Sequence, residues 1–427
     1  MIDIRRLRSE PQIVAAALAR RGVANDEVES LIVADRRSRE LSARRDAVRA
    51  QVKEISRQVA AARRSGDESL AHELMARSRE LNLEEQALAG EASAEAGAVE
   101  QLLLMIPNVP APECPDGSSE LDNVVIRQHP ATLQDPLERQ SVPHWEVGAQ
   151  LGILDLEAGA KMSGSMFPLF KGDGAAMLRA LTSFALDHHR GSFLEIRPPT
   201  LVRTDTMMST GHLPKFADDA YHLERDDLWA IPTAEVPLAS MYRGEILGEG
   251  ELPKLLCAAT PCFRREAGSA GRDTRGLLRV HEFDKVELFA FCRPEQASEV
   301  HGEILARAES LISELGLAYR VLDLCAGDLG AASARTFDLE VYAPGCDRWL
   351  EVSSVSWCSD YQARRANVRY RQDDGRTAFV HTLNGSALAW ARVWAAIVET
   401  YRQEDGAVAI PAALRAYMGG RDQISAS

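Results

Sequence analysis

Arg264, Glu266, Arg279, Phe283, Lys285 and Glu287 stand within one short stretch, Thr260 to Leu288, and together they offer cations, carboxylates and an aromatic ring. The flanking runs Leu255 to Arg264 and His281 to Phe291 are β-compatible, while the segment between them is polar, with three glycines and the basic residues Arg272, Arg275 and Arg279. The pattern predicts a hairpin with an anion-binding mouth. Residues two apart on a strand share a face, so Arg264 and Glu266 are expected to point together, as are Phe283, Lys285 and Glu287. A guanidinium can fork onto a phosphate, a ring can stack on a base, and a carboxylate can hold an ammonium group. Such a face suits a nucleotide beside an amino acid. Taken singly, each charge fits a surface ion pair equally well and Phe283 fits a core; the combination points to chemistry.

Three further clusters carry reactive side-chain types. Ile231 to Leu238 places Thr233 and Glu235 two apart at the end of an apolar, strand-like piece, although a helix N-cap with a solvated Glu reads the same way. Phe337 to Tyr342 and Arg348 to Ser354 alternate as strands joined at Ala343-Pro344-Gly345, putting Glu340 and Glu351 on neighbouring strands, where carboxylates can hold Mg²⁺ or simply face solvent. His381 to Arg392 is expected to start on a turn and enter an apolar helix with Arg392 about two turns in, serving an anion or a buried structural pair.

These clusters need a scaffold, and the preceding chain supplies two parts. After a first helix expected over about Asp3 to Leu18, apolar and small residues recur every three or four positions from Ala34 to Val59, turn at Arg64-Ser65-Gly66-Asp67, and resume from Leu70 to about Leu104. This predicts an antiparallel two-helix coiled coil over about residues 28–104, within an N-terminal arm spanning 1–106. Leu31 to Arg64 carries ten basic against four acidic residues, and Asp67 to Met105 two against nine. The two helices therefore attract each other, and the first, through Arg36, Arg44, Arg45, Arg49 and Lys53, can also meet phosphate; a mutually neutralising spacer is the competing reading. Residues 107–122, rich in proline and polar side chains, read as a linker. A second domain is expected over 123–420, with a loose tail over 421–427.

Bulk composition sets the class. The 427 residues are 45% hydrophobic and 26% charged, with no apolar run approaching the ~18 residues of a membrane span. The net charge of −14 excludes a generally basic nucleic-acid binder, so any RNA contact must be local, and neither a DNA nor a membrane partner is expected. Seven cysteines without a Cys-x-x-Cys pair argue for reduced thiols in a cytoplasmic protein and against a structural zinc.

Phe-Arg-x-Glu (Phe263 to Glu266), a loop, then Arg279, Phe283 and Glu287 resembles motif 2 of the class II aminoacyl-tRNA synthetases, and the loop wording Glu-Ala-Gly-Ser-Ala-Gly-Arg-Asp-Thr-Arg-Gly resembles that of the seryl-tRNA synthetases. The helix over about Gly174 to His189 leading into Phe193 to Pro199 resembles motif 1, the dimer-building element, and His381 to Arg392 resembles motif 3. By contrast Lys161-Met162-Ser163-Gly164-Ser165 resembles a class I ATP loop but lacks its His-x-Gly-His partner.

The resemblance implies an α+β chain: a long two-helix coiled coil, then an antiparallel β-sheet catalytic domain flanked by helices. It implies an ATP-dependent ligase joining serine to tRNA(Ser) through seryl-adenylate, serylating tRNA(Sec) where present, and working as a homodimer whose arm grips tRNA. Serine would be bound by Thr233, Ala234, Glu235, Glu287 and Ser386. ATP would be bound by Arg264, Arg265, Glu266, Val280, Phe283, Glu351, Val352, Ser353, Ser354 and Arg392, with Mg²⁺ on Glu351 and Ser354, no zinc, and Arg264 and Arg392 as the catalytic cations. The chain departs from the family's wording at Met166, at Val355 and Trp357, and at Ala387 and Ala391. Those changes keep open a specialised paralogue, an amino-acid:carrier-protein ligase of the same fold, and a non-catalytic RNA-binding paralogue.

Overall fold

The computed structural model describes residues 1–133, 140–268 and 273–426. It divides into two compact units, Ile4–Ile106 and a second made of Met1–Asp3 with Pro107–Ser427.

In the first unit the expected opening helix is two helices, α1 (Ile4–Ser9) and α2 (Pro11–Ala19). Pro11 causes the break, since it favours the first turn of a new helix and cannot continue an old one. Two long helices follow, α3 (Asn25–Ser65) and α4 (Glu68–Met105), each about 60 Å long at 1.5 Å per residue. Gly66 ends α3 in the left-handed region, φ 77°, and Asp67 caps α4 by accepting the Leu70 N–H at 3.0 Å. Leu41, Val48, Leu81, Leu88 and Ala92 form the seam, and Arg37 reaches across to Glu95 at 2.9 Å. Asp35, almost fully buried, is held by Arg8 at 2.6 and 2.9 Å and by Arg39 at 3.0 Å; the Arg8 bonds, more than Arg39, keep its carboxyl below the usual range despite burial.

The second unit is built on eight strands: β1 (Val124–His129), β2 (Leu194–Glu195), β3 (Lys254–Phe263), β4 (Glu282–Cys292), β5 (Tyr319–Asp323), β6 (Arg335–Ala343), β7 (Arg348–Trp357) and β8 (His381–Ala389). Their order is β1-β5-β6-β7-β8-β4-β3-β2, antiparallel except for the β2–β3 pair. Helices Asp173–His189, Ala297–Glu314 and Trp390–Thr400 supply much of the core on one side of the sheet, with Val286, Leu288 and Ala290 of β4 among it; Phe289 and Phe291, on the other side, pack with Ala234, Leu238 and Ala258. With both faces covered, β4 is a continuous buried run from Lys285 to Cys292.

Three other expectations change. Residues 193–199 contribute only the two-residue β2, followed by an Ile196 N–H to Cys257 O bond at 2.7 Å. The stretch read as a linker is tied down: Asn108 donates to Ala332 O at 2.8 Å and Cys358 O at 2.9 Å, and the Ala111 N–H reaches Ala334 O at 2.8 Å. In the tail read as loose, Gln423–Ile424 pairs with Val408–Ala409; burial of Ile424 supplies the driving force.

Gly385 on β8 shows how tightly this sheet is packed, since an added Cβ would lie 2.5 Å from Ile304 Cγ2 and 3.2 Å from Val355 Cγ2. Gly385→Ala is expected to destabilise the second unit by ~1–3 kcal/mol through overpacking, measured as a lowered denaturation midpoint with the circular dichroism of the folded state retained.

Candidate active site

A cavity of about 500 Å³ opens on the Phe289 side of the sheet and is lined by, among others, Thr233, Glu235, Arg264, Glu266, Arg279, Lys285, Glu351, Ser354, Asn384 and Ser386. Strand alternation places Lys285 and Glu287 on one face of β4. Register sets Glu287 directly opposite Ser386 of β8.

Glu287, only 1% exposed, accepts the Thr233 hydroxyl proton at 2.9 Å and pairs with Lys285. The Thr233 oxygen in turn accepts from Lys285 Nζ at 2.9 Å and from the Glu235 N–H at 3.2 Å. Thr233 thus meets the first N–H of the short helix Glu235–Ala239 from outside it, while Ala234 occupies the N-cap position. The half-buried Glu235 side chain is more than a solvated surface group, however: its Oε1 accepts Gln362 Nε2 at 2.5 Å and Asn384 Nδ2 at 3.1 Å. Burial, and secondarily the nearby charge of Glu287, push its carboxyl up to about 7, with the Gln362 bond opposing. Gln362 is itself pinned by the Thr382 hydroxyl at 2.7 Å. His212, which also lines the cavity, meets the Thr210 hydroxyl at 2.8 Å through Nδ1, and burial with the Arg264, Lys285 and Arg365 charges lowers its pKa to about 4, so it is neutral at pH 7.

Arg264 lines the cavity with its guanidinium 5.3 Å from the Phe283 ring. Strand β3 stops at Phe263 and Glu266 adopts φ 52°, so the strand alternation expected to align Arg264 with Glu266 is absent; both still line the cavity, and Glu266 pairs with Arg279. Arg265 points elsewhere, over the Tyr221 ring at 5.8 Å. Arg275 bonds Asp273 at 2.8 Å, whereas Arg272 of the expected mouth lies outside the described residues.

Residues 381–389 form strand β8 rather than a turn and helix, and Arg392 sits in the first turn of helix Trp390–Thr400. The cause is burial on both faces between β7 and β4, which selects a strand from an apolar run that fits either period. Arg392 donates to Glu351 O at 2.8 Å and Leu278 O at 3.3 Å and lies 3.6 Å from Glu351 Oε2. Glu340, directly opposite Glu351, pairs with Arg320.

Other expected residues take supporting places. Ala234, Val280 and Val352 are core residues, and the Ser353 hydroxyl bonds Ser386 O at 2.6 Å. Ala387, Ala391 and Val355 lie in the helix-side core, and Trp357 donates to His381 Nδ1 at 3.2 Å. Four of the departures from the family wording thus sit behind the cavity. The fifth, Met166, gives its carbonyl to the His281 N–H at 3.0 Å. Sequence reasoning missed Gln362, Asn384 and His212; of these only Asn384 lay inside a stretch already singled out.

Residues 1–110 match the family described as the seryl-tRNA synthetase N-terminal domain, and residues 220–401 match the tRNA synthetase class II core domain (G, H, P, S and T). A serine–tRNA ligase of Syntrophotalea carbinolica is 44% identical over 100% of both chains, and one of Thermomicrobium roseum is 45% identical over 99% of this chain and 95% of its own. The crystal structure of seryl-tRNA synthetase from Pyrococcus horikoshii complexed with ATP superposes with a TM-score of 0.93 at 35% identity, covering all of both chains. Full-length identity of this order, with arm and core each matched, makes the chain a member of the seryl-tRNA synthetases, the class II serine–tRNA ligases.

Proposed function

We propose that the cavity binds serine in the corner formed by Thr233, Glu235, Glu287 and Ser386 and ATP along Arg264, Glu266, Phe283, Glu351, Ser354 and Arg392. The observation that carries this reading is a pair of neighbouring carboxylates, half-buried Glu235, which lines the cavity with Thr233 and Arg264, and buried Glu287, which accepts the Thr233 hydroxyl proton from behind that lining. An amino acid brings one ammonium and, in serine, one hydroxyl, and these acceptors match both. Alanine would leave buried polar groups unpaired.

No side chain acts as a nucleophile. The serine carboxylate attacks the α-phosphorus of ATP, the bond to the bridging oxygen breaks, and pyrophosphate leaves. A ribose hydroxyl at the tRNA 3′ end then attacks the acyl carbon, and AMP leaves. Arg264 offsets charge at the α-phosphate, Arg392 charge on the terminal phosphates, Phe283 supports the adenine and Glu266 accepts from its amine edge, so catalysis is positioning plus preorganised electrostatics.

The residues present fit a divalent cation: Asp338, on the strand facing Glu351 and Ser354, has an Oδ1 sealed from solvent without a hydrogen-bond partner, and burial and then the Glu351 charge push its carboxyl well above the usual range. Glu351 and Ser354 would hold Mg²⁺, which supplies neutralisation of phosphate charge when bound.

The exposed bases Arg36, Arg44, Arg49 and Lys53, with half-buried Arg45, would meet tRNA(Ser), and tRNA(Sec) where it exists. A homodimer built on the Asp173–His189 helix and its following strand, and a cytoplasmic location, complete the reading.

Two measurements test it. Aminoacylation of bulk tRNA with serine, alanine, threonine or cysteine, run beside amino-acid-dependent pyrophosphate exchange, is expected to give serine-only charging that disappears, with exchange retained, when residues 25–105 are deleted. Exchange without charging at full length would point instead to a carrier-protein ligase.

Glu235 adds a pH signature. Its ionised form is the one that accepts an ammonium, so with a carboxyl near 7 the KM for serine should fall as pH rises between about 6 and 8, by up to tenfold per unit on the acid side. Glu235→Gln should flatten this profile and raise KM by roughly 10- to 100-fold, the worth of a charge-assisted hydrogen bond. Stability runs the other way: folded Glu235 keeps its proton to about 7 against 4.5 when exposed, so the free protein loses stability as pH rises through that interval.

A further inference from the structure

Outside the cavity, and among the described residues, one fully buried histidine–carboxylate pair remains unused by the mechanism. His144 opens the helix His144–Gln150, Glu399 lies in helix Trp390–Thr400, and both side chains are 0% exposed. Glu399 Oε1 accepts from the His144 N–H at 2.9 Å, from His144 Nδ1 at 2.7 Å and from the Cys346 thiol at 3.1 Å; Oε2 accepts the Gly345 N–H at 2.7 Å and the Cys346 N–H at 3.1 Å.

The other ring nitrogen fixes the tautomer. His144 Nε2 lies 2.8 Å from the Leu277 N–H. An amide can only donate, so Nε2 accepts and the ring proton resides on Nδ1. This removes the metal-site reading that His144, Cys346 and Glu399 invite, with ligand atoms all within 4.8 Å of one another: the Nδ1 lone pair is occupied by a proton and the carboxylate by chain donors. Gly276 confirms the close fit, since at φ 59° an added Cβ would lie 2.4 Å from Nε2 and 2.5 Å from the Trp145 ring.

We propose that Glu399 and His144 are positioning residues for ATP, one carboxylate anchoring the far ends of both segments that line its site. This rests on the reading of the cavity given above. Through His144 the anchor holds Leu277, two residues before Arg279, on the stem that returns from the loop; Arg392 holds the next carbonyl, Leu278 O, at 3.3 Å. Through Gly345 and Cys346 it holds the turn between β6 and β7, and β7 carries Glu351 and Ser354. The spacing of the two segments is set from behind the cavity, by groups that touch no substrate.

The test uses two variants of the full-length protein with opposite bonding capacity. His144→Asn keeps a donor for Glu399 but cannot reach Leu277; His144→Gln can present an oxygen to Leu277 while losing the donor to Glu399. His144→Asn is expected to raise the KM for ATP in pyrophosphate exchange by roughly five- to tenfold, the worth of one net hydrogen bond, with the KM for serine within about twofold. Amide exchange at Leu277 should accelerate while β4 stays protected, and His144→Gln should keep ATP KM closer to the parent. Nitrogen NMR of the imidazole should find Nδ1 protonated and Nε2 bare. An unchanged ATP KM in both variants, equal rises for ATP and serine, or a protonated Nε2 in the free protein at neutral pH would overturn the proposal. Glu351→Ala separates the two readings: if it leaves ATP KM unchanged, the assignment of the cavity fails, whatever His144 does.

Discussion

Two carboxylates in one low-dielectric corner set the terms for the rest of the site. Glu235 and Glu287 cannot both lie there ionised without partners, because each raises the cost of the other. The fold answers asymmetrically. Glu287 has a cation, Lys285, and a hydroxyl, Thr233, both immediately beside it. Among the described residues Glu235 is bonded by the neutral amide donors Gln362 and Asn384, and its carboxyl is pushed up to about 7. On the proposed reading, Glu235 is the carboxylate that gains most from an incoming ammonium group, since Glu287 is already paired with Lys285.

That asymmetry depends on the sheet. Glu287 and Ser386 are register partners on β4 and β8, and Glu351 lies on β7 beside them. Strands buried on both faces cannot slip by one residue without exchanging polar and apolar faces, and the contacts of Gly385 with Val355 and Ile304 leave no room for adjustment. The polar corner inherits the rigidity of the hydrophobic packing behind it. The arm follows a different logic: its seam is narrow, and unlike charges on the facing helices, with Arg37 on Glu95, add to a modest apolar contact.

Much of this was legible from residue order. The two strands flanking the polar loop, the long helix pair with its turn at Gly66, and the carboxylates on adjacent strands follow from periodicity and turn chemistry. What escaped has identifiable causes. An apolar run such as 381–391 satisfies helical and buried-strand patterns alike, so the end of β8 and the true place of Arg392 depended on neighbours far along the chain. The left-handed backbone at Glu266 has no signature in a side chain that is neither Gly nor Asn. Gln362 and Asn384 meet at Glu235 from positions 127 and 149 residues away in sequence, and nothing local marks them. His144, Cys346 and Glu399 converge in the same way. Conversely Ala387 and Ala391, which looked close to the pocket in sequence, pack into the opposite side of the sheet.

Arg392 in the first turn of its helix has a final consequence. The amino end of a helix already carries partial positive charge, and a guanidinium there is disfavoured by ~0.3–1 kcal/mol. Its bonds to the Glu351 and Leu278 carbonyls, with the Glu351 carboxylate 3.6 Å away, offset this. The position of this cation is thereby set by β7 and the stem at Leu278 rather than by the helix that carries it, so a shift in either segment would move a charge that belongs to neither.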